Sequence, residues 1–188
     1  MGKFALFAIY FLIYCNSKPQ SNFDVGSYEG IFLDGKQTKL SDLKFERIAV
    51  NVYSPTCIPC IKEIPAINFI AKELSKKKNS VIILAVDPYQ IVENSEGLSF
   101  GEAYSKAKEI MEKEISNRNI HIPVIVMKKP FRVNPEGGLI TGTPETLIFK
   151  NSPFSLYYNF VGPISERTGL SDLEKDAKIQ FFLKMVGG

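Results

Sequence analysis

Val52-Tyr53-Ser54-Pro55-Thr56-Cys57-Ile58-Pro59-Cys60-Ile61-Lys62-Glu63-Ile64-Pro65 is the stretch that decides the reading of this chain. It holds the only closely spaced cysteines. The apolar, β-branched run Ile48 to Tyr53 leads into it and reads as a buried strand. Ile61, Ile64, Ile67, Ile70, Ala71 and Leu74 lead out of it at helical spacing, so the following helix has one buried face. Pro59 sits early in that helix, where its missing N–H does no harm. Pro65 lies inside and predicts a kink.

Two cysteines separated by two residues at the start of a helix can bond to each other. The helix start leaves the first sulfur exposed and puts the second one turn in. Free backbone N–H groups and the helix dipole stabilise a thiolate there. Cys57 is then the attacking nucleophile, and Cys60 resolves the mixed disulfide it forms. The residues between them, Ile58 and Pro59, are placed to tune the potential.

Working outward, Tyr28 to Leu33 and Lys36 to Leu40 flank Asp34-Gly35 and predict a hairpin. Ser41-Asp42-Leu43 predicts a helical turn. Val81 to Val86 is a second buried strand, followed by a polar loop through Glu96-Gly97. Ser99 to Arg118 predicts a long helix, with Tyr104, Ala107, Ile110, Met111, Glu114 and Ile115 marking its inner stripe only approximately. Ile122 to Met127 is a strand, and Pro130 to Ile140 a loop. A strand follows Pro144, Asn151-Ser152-Pro153 turns, and Leu156 to Val161 returns. A final helix starts at Ser171, with Leu173, Ala177, Ile179, Phe182 and Leu183 apolar. Strands alternating with helices, then a hairpin and a helix, make an α/β fold with a central mixed sheet. The cysteines fall at the carboxyl end of a central strand, where such sheets bind ligands.

Length and composition agree with one domain. The chain has 188 residues, 45% hydrophobic and 23% charged, with a formal net charge of +3. That charge is too small to indicate a nucleic-acid partner. Three cysteines (Cys15, Cys57, Cys60) are too few for a disulfide framework. The one histidine, His121, is remote, so the ligands for zinc are lacking and no metal is expected. No cofactor is indicated.

Residues 1–14 read as a signal peptide of the lipoprotein type. Lys3 supplies the positive region, and the apolar run Phe4 to Tyr14 falls short of the about 20 residues that span a bilayer. Leu12-Ile13-Tyr14-Cys15 resembles a bacterial lipobox with Cys15 lipidated, although Tyr14 stands where a small residue is usual. Residues 15–24 form a polar tether and 25–188 the folded domain. An ordinary cleaved signal or an uncleaved anchor is the alternative. Each version exports the domain to an oxidising compartment, membrane-anchored and facing the periplasm or cell exterior in the lipoprotein case.

The strand, the Cys-x-x-Cys segment, the helix and the later Thr143-Pro144 before a strand resemble the thioredoxin fold. More closely, the sequence resembles the TlpA/ResA/DsbE branch of membrane-tethered bacterial thioredoxins. The matching residues are Asn51 in Val50-Asn51-Val52-Tyr53, Cys57-Ile58-Pro59-Cys60, Glu63, Pro65, and Gly142-Thr143-Pro144-Glu145-Thr146. The hairpin Gly30 to Lys36 with Leu40 to Leu43 resembles that branch's N-terminal extension. The resemblance implies a thioredoxin-like fold with a β-hairpin extension, and a redox disulfide Cys57–Cys60. It implies a cis bond at Thr143–Pro144, whose loop binds substrate and blocks metal binding. It also implies that Glu63 trades protons with Cys60; the alternative is a first-turn glutamate favoured only by the helix dipole. Asn51 stands where thioredoxin itself carries a buried aspartate. Thr56 and Tyr53-Ser54-Pro55 replace the usual tryptophan-containing segment. Residues 128–141 lack the short helix common before the cis-proline loop.

The implied activity is thiol–disulfide exchange, reducing disulfides of extracytoplasmic proteins such as apocytochrome c. The implied partners are protein disulfides and a membrane electron donor of the DsbD/CcdA type. A peroxiredoxin would need a threonine three residues before its cysteine; Thr56 directly precedes Cys57. A copper chaperone would use wider cysteine spacing and a well-placed histidine. A structural lipoprotein with an inert disulfide is the remaining alternative.

Overall fold

In the computed structural model, residues 28–129 and 140–187 are described. The leader, Cys15, the tether and most of the Pro130–Ile140 loop lie outside them. Among the described residues no helix is long and apolar enough to cross a membrane.

The sheet has seven strands in the order β2-β1-β5-β4-β3-β6-β7. They are β1 (Glu29–Phe32), β2 (Gln37–Lys39), β3 (Arg47–Val52), β4 (Ser80–Val86), β5 (Val124–Met127), β6 (Glu145–Asn151) and β7 (Phe154–Val161). β3 pairs parallel with β4 and β4 with β5; all other pairings are antiparallel. The mixed sheet is the one expected from the sequence. Asp34-Gly35 closes the β1–β2 hairpin. The Gly35 N–H donates to the Phe32 carbonyl at 2.9 Å, and its φ of +88° is one that glycine adopts freely.

α1 (Ile58–Ser75) crosses from β3 to β4, and α3 (Phe100–Arg118) from β4 to β5. α3 opens on a capping box, with Ser99 and Glu102 satisfying each other's backbone N–H groups. Alternation along β3 sorts its side chains. Ala49, Asn51 and Tyr53 face one way; Ile48, Val50 and Val52 face the other. The first face joins Ile64, Ile67 and Ile70 of α1, Ala107 and Met111 of α3, and Ile179 and Phe182 of α5 (Ala177–Gly187) in one core. The second joins Ile83, Ile125, Leu147 and Phe149, covered by Leu40 with partly buried Tyr28, Leu43 and Phe45. With both faces closed, β3 and β4 are almost wholly apolar, and the one amide among them, Asn51, is conspicuous.

α1 runs through Pro65, the proline expected inside it. The structure departs from expectation in three places. The loop after β4 contains a short helix, α2 (Pro88–Ile91), because Asp87 caps it and Pro88 suits its first turn. The C-terminal helix is two: α4 (Leu170–Glu174), then α5. Asp176 makes the break. Its Oδ1 accepts from the N–H groups of Lys178 and Ile179, and its Oδ2 from the Ser165 hydroxyl. On α3 the inner stripe is Ala103, Ala107 and Met111, with Tyr104, Ile110, Glu114 and Ile115 only partly buried.

Candidate active site

β3 ends at Val52, and the chain leaves the sheet there for α1. The turn between them closes on itself. The Cys57 N–H donates to the Ser54 carbonyl at 3.0 Å, and the Ser54 and Thr56 hydroxyls lie 3.0 Å apart. Cys57 is the N-cap of α1, in extended conformation, so its carbonyl accepts the first helical bond from Ile61 at 3.1 Å. Its sulfur takes the place of a capping oxygen and accepts from the Cys60 N–H at 3.3 Å. Cys57 and Cys60 are disulfide-bonded. The two sulfurs differ in access: Cys57 is partly exposed, whereas Cys60 is fully buried. Ile58, 65% exposed, gives the rim an apolar contact beside the accessible sulfur.

Glu63 follows one turn behind Cys60, on the same buried face of α1. It has no solvent exposure. Its Oε1 accepts from the Ile164 N–H at 2.6 Å, and its Oε2 from Asn51 Nδ2 at 3.2 Å. Burial raises its carboxyl to about 7; the bonds from Ile164 and Asn51 pull the other way without overcoming burial. Glu166 nearby adds to the rise and Lys178 opposes it. A carboxyl poised near neutrality can take or give a proton at physiological pH.

The Thr143–Pro144 peptide bond is cis. Pro144 is buried and Thr143 partly so. Glu145, next in sequence, pairs with Val52 on β3. The Pro144 loop therefore lies at the same end of the sheet as Cys57. Glu145 is itself 1% exposed and anchors that loop. Its Oε1 accepts from the N–H of Thr141 at 2.6 Å and of Gly142 at 3.1 Å, and from the Thr141 hydroxyl. Its Oε2 accepts from Asn159 Nδ2 at 2.9 Å, tying the loop to β7.

The structure thus gathers Cys57, Cys60, Glu63, Thr143 and Pro144 around one end of the sheet. It does not bring His121 there. That residue precedes β5, which runs parallel to β3 through β4, so it sits at the opposite end. Cys15 lies outside the described residues. Three elements escaped the sequence reading. The Ile164 N–H is a backbone group with no residue signature. Glu145 had a signal, a carboxylate opening a strand that is apolar from Leu147 to Phe149. Tyr53 is only 2% exposed and donates its hydroxyl to Glu114 at 2.9 Å, which Arg118 also holds at 2.5 Å. Burial and the Glu114 charge both push the Tyr53 phenol up, so it stays neutral. The tyrosine therefore props the end of β3 against α3.

No protein-family model matches the chain. It is 32% identical over 83 residues to the thiol-disulfide oxidoreductase ResA of Bacillus thuringiensis (strain Al Hakam). That match covers 42% of this chain and 48% of the relative, so the chain spans about half the length of the curated relative it matches. Among solved structures, it is similar to a thiol:disulfide interchange protein of the thioredoxin family from Chlorobium tepidum TLS. The TM-score is 0.56 at 22% identity, over 85% of this chain and 92% of that one. A secreted thiol-disulfide isomerase from Corynebacterium glutamicum gives a TM-score of 0.54 at 16% identity, over 81% and 83%. The chain has the thioredoxin fold.

Proposed function

We propose that this TlpA/ResA-like chain of thioredoxin fold is an exported thiol–disulfide oxidoreductase that reduces disulfides of extracytoplasmic proteins. The observation that carries the reading is the asymmetry of the pair: an accessible Cys57 sulfur capping a helix, bonded to a buried Cys60 sulfur one turn ahead of a buried carboxyl.

The working cycle starts from the dithiol. The Cys57 thiolate, favoured by the N–H groups of α1, attacks one sulfur of a substrate disulfide. A Cys57–substrate bond forms, the substrate S–S bond breaks, and the departing substrate sulfur takes a proton. Glu63, as carboxylate, accepts the proton of the Cys60 thiol. The Cys60 thiolate attacks Cys57, releasing the second substrate sulfur, which is protonated in turn. Two electrons and two protons pass to the substrate, and the Cys57–Cys60 disulfide remains. A reductant must restore the dithiol. In an oxidising compartment a membrane donor of the DsbD/CcdA type fits that need.

Thr143 and Pro144 present a backbone edge for an extended substrate segment beside Cys57, with Ile58 as an apolar contact. Apocytochrome c, with its paired cysteines, is a substrate of the right chemistry. The leader at residues 1–14 and lipidation of Cys15 would hold the domain at the membrane surface.

The test is reduction of insulin disulfides by dithiothreitol-driven protein. The wild type accelerates it, Cys57→Ser abolishes the acceleration, and Cys60→Ser accumulates mixed disulfides through Cys57. A chain equally inactive with and without Cys57 sinks the proposal and leaves a structural disulfide.

A further inference from the structure

Asn51 is fully buried on the helix-facing side of β3. Its Nδ2 lies between two acceptors, Glu63 Oε2 at 3.2 Å and Thr146 Oγ1 at 2.9 Å. Its Oδ1 is buried and has no hydrogen-bond partner. An amide oxygen left so is uncommon in a folded core and calls for a reason.

The two ends of an asparagine amide are almost the same shape. Half a turn about the last side-chain bond exchanges oxygen for nitrogen without disturbing the packing. With Nδ2 forward, the side chain donates to both neighbours, and Glu63 must be the carboxylate. With Oδ1 forward, the same place accepts two bonds, from a protonated Glu63 Oε2 and from the Thr146 hydroxyl, which can donate as well as accept. The Ile164 N–H holds Oε1 in either state, so the proton belongs on Oε2, the oxygen facing Asn51. Each orientation satisfies the edge toward Glu63 and leaves the rear amide atom unpartnered. The orphaned Oδ1 is therefore the unused half of a two-state pair.

We infer that Asn51 is a positioning residue for Glu63, turning its amide over so that it hydrogen-bonds the carboxylate in one state and the carboxylic acid in the other. The inference rests on the reading of Glu63 as the proton handler for Cys60, and it gives that residue a partner for both of its forms. When the Cys60 S–H bond breaks and an O–H bond forms on Glu63, the sulfur keeps the electron pair. The amide then follows the proton without any group entering from solvent. Thr146 pairs with Asn51 across β3 and β6 and lies two residues after Pro144. The hydroxyl that must reorient is thus next to the substrate loop. The charged groups that act on Glu63 are Glu166, in the loop after β7, and Lys178 on α5. On its own helix Cys60 lies one turn before it on the same buried face. None of these can replace an amide that both donates and accepts.

The experiment is nuclear magnetic resonance of the full chain with the disulfide formed, so that neither Cys57 nor Cys60 titrates. The Glu63 carboxyl carbon and the Asn51 side-chain amide are followed from acid to alkaline pH. The expected result is a Glu63 midpoint near 7, with the Asn51 amide signals moving at the same midpoint. In Glu63→Gln the amide signals become independent of pH. In Asn51→Leu, which can neither donate nor accept, both bonds are lost; the one to the charged form is the stronger, so the Glu63 midpoint rises, by about one unit. Amide signals indifferent to Glu63, or an Asn51→Leu midpoint equal to the wild type, overturn the inference. If Asn51→Leu fails to fold, the amide signals of the unsubstituted chain decide alone. A wild-type midpoint near 4.5 defeats the proton-handling reading itself. A midpoint near 7 that Asn51→Leu does not move defeats only the role of Asn51.

Discussion

Replacing Glu63 with glutamine should make the folded chain less sensitive to alkali. The glutamine is nearly isosteric, and its carbonyl can still accept from the Ile164 N–H. The carboxyl it replaces is raised from 4.5 to about 7 by burial. Between those values the unfolded chain sheds a proton that the native chain keeps. Glu63 therefore contributes stability that is fully present below the unfolded value and is lost as pH rises through about 7. The shift of roughly 2.5 units corresponds to about 3 kcal/mol at about 1.4 kcal/mol per unit. Other titrating groups are common to both proteins and cancel in the difference. Urea unfolding of the disulfide-bonded wild type and Glu63→Gln, from pH 4 to pH 8.5, measures it. The variant should gain on the wild type by about 3 kcal/mol across that range, with most of the change between pH 5 and pH 7. A difference that stays flat with pH would show that the native carboxyl titrates as it does in water, and the argument from burial would be wrong.

The same carboxyl should appear in the kinetics. Resolution of the mixed disulfide by Cys60 should speed up as pH rises through about 7 in the wild type, and Glu63→Gln should lose that limb while Cys57 still forms the mixed disulfide; stopped-flow with a model disulfide separates the two steps. Glu145→Ala removes the acceptor shared by Thr141, Gly142 and Asn159. Water can serve exposed Thr141, so the cost should be about 2 kcal/mol, with KM for a protein disulfide raised more than kcat is lowered. Tyr53→Phe leaves Glu114 paired with Arg118, and denaturant unfolding should show a loss of about 1 kcal/mol with reductase activity retained. Ser99→Ala breaks the capping box of α3 and should lower the thermal midpoint through a loss of about 1 kcal/mol.

Much of the architecture could be read from pattern. β3 and β4 are continuous apolar runs because both of their faces are covered, and α1 shows its inner stripe because only one face is. Pro65 falls inside α1 as the apolar spacing around it implied, with its ring partly exposed. The break between α4 and α5 was hidden because Asp176 reads as one more polar residue, until its oxygens are seen capping Lys178 and Ile179. The site was legible only where chemistry needs a particular side chain. Cys57 and Cys60 announce themselves by spacing. What gives Glu63 its proton affinity is burial, and what fixes its place is the Ile164 N–H, a backbone donor 101 residues away; neither has a local signature. Glu145 and Thr146 could be quoted as part of a motif, but their roles depend on which strands lie beside them.

As a redox pair, the Cys57–Cys60 disulfide opens and closes within the folded chain. Equilibrating the full chain with dithiothreitol buffers of graded potential, quenching with an alkylating agent and weighing the products measures this directly. Both cysteines should become modified together along a reversible two-electron curve while circular dichroism stays native. A pair that remains oxidised until the chain unfolds would contradict it.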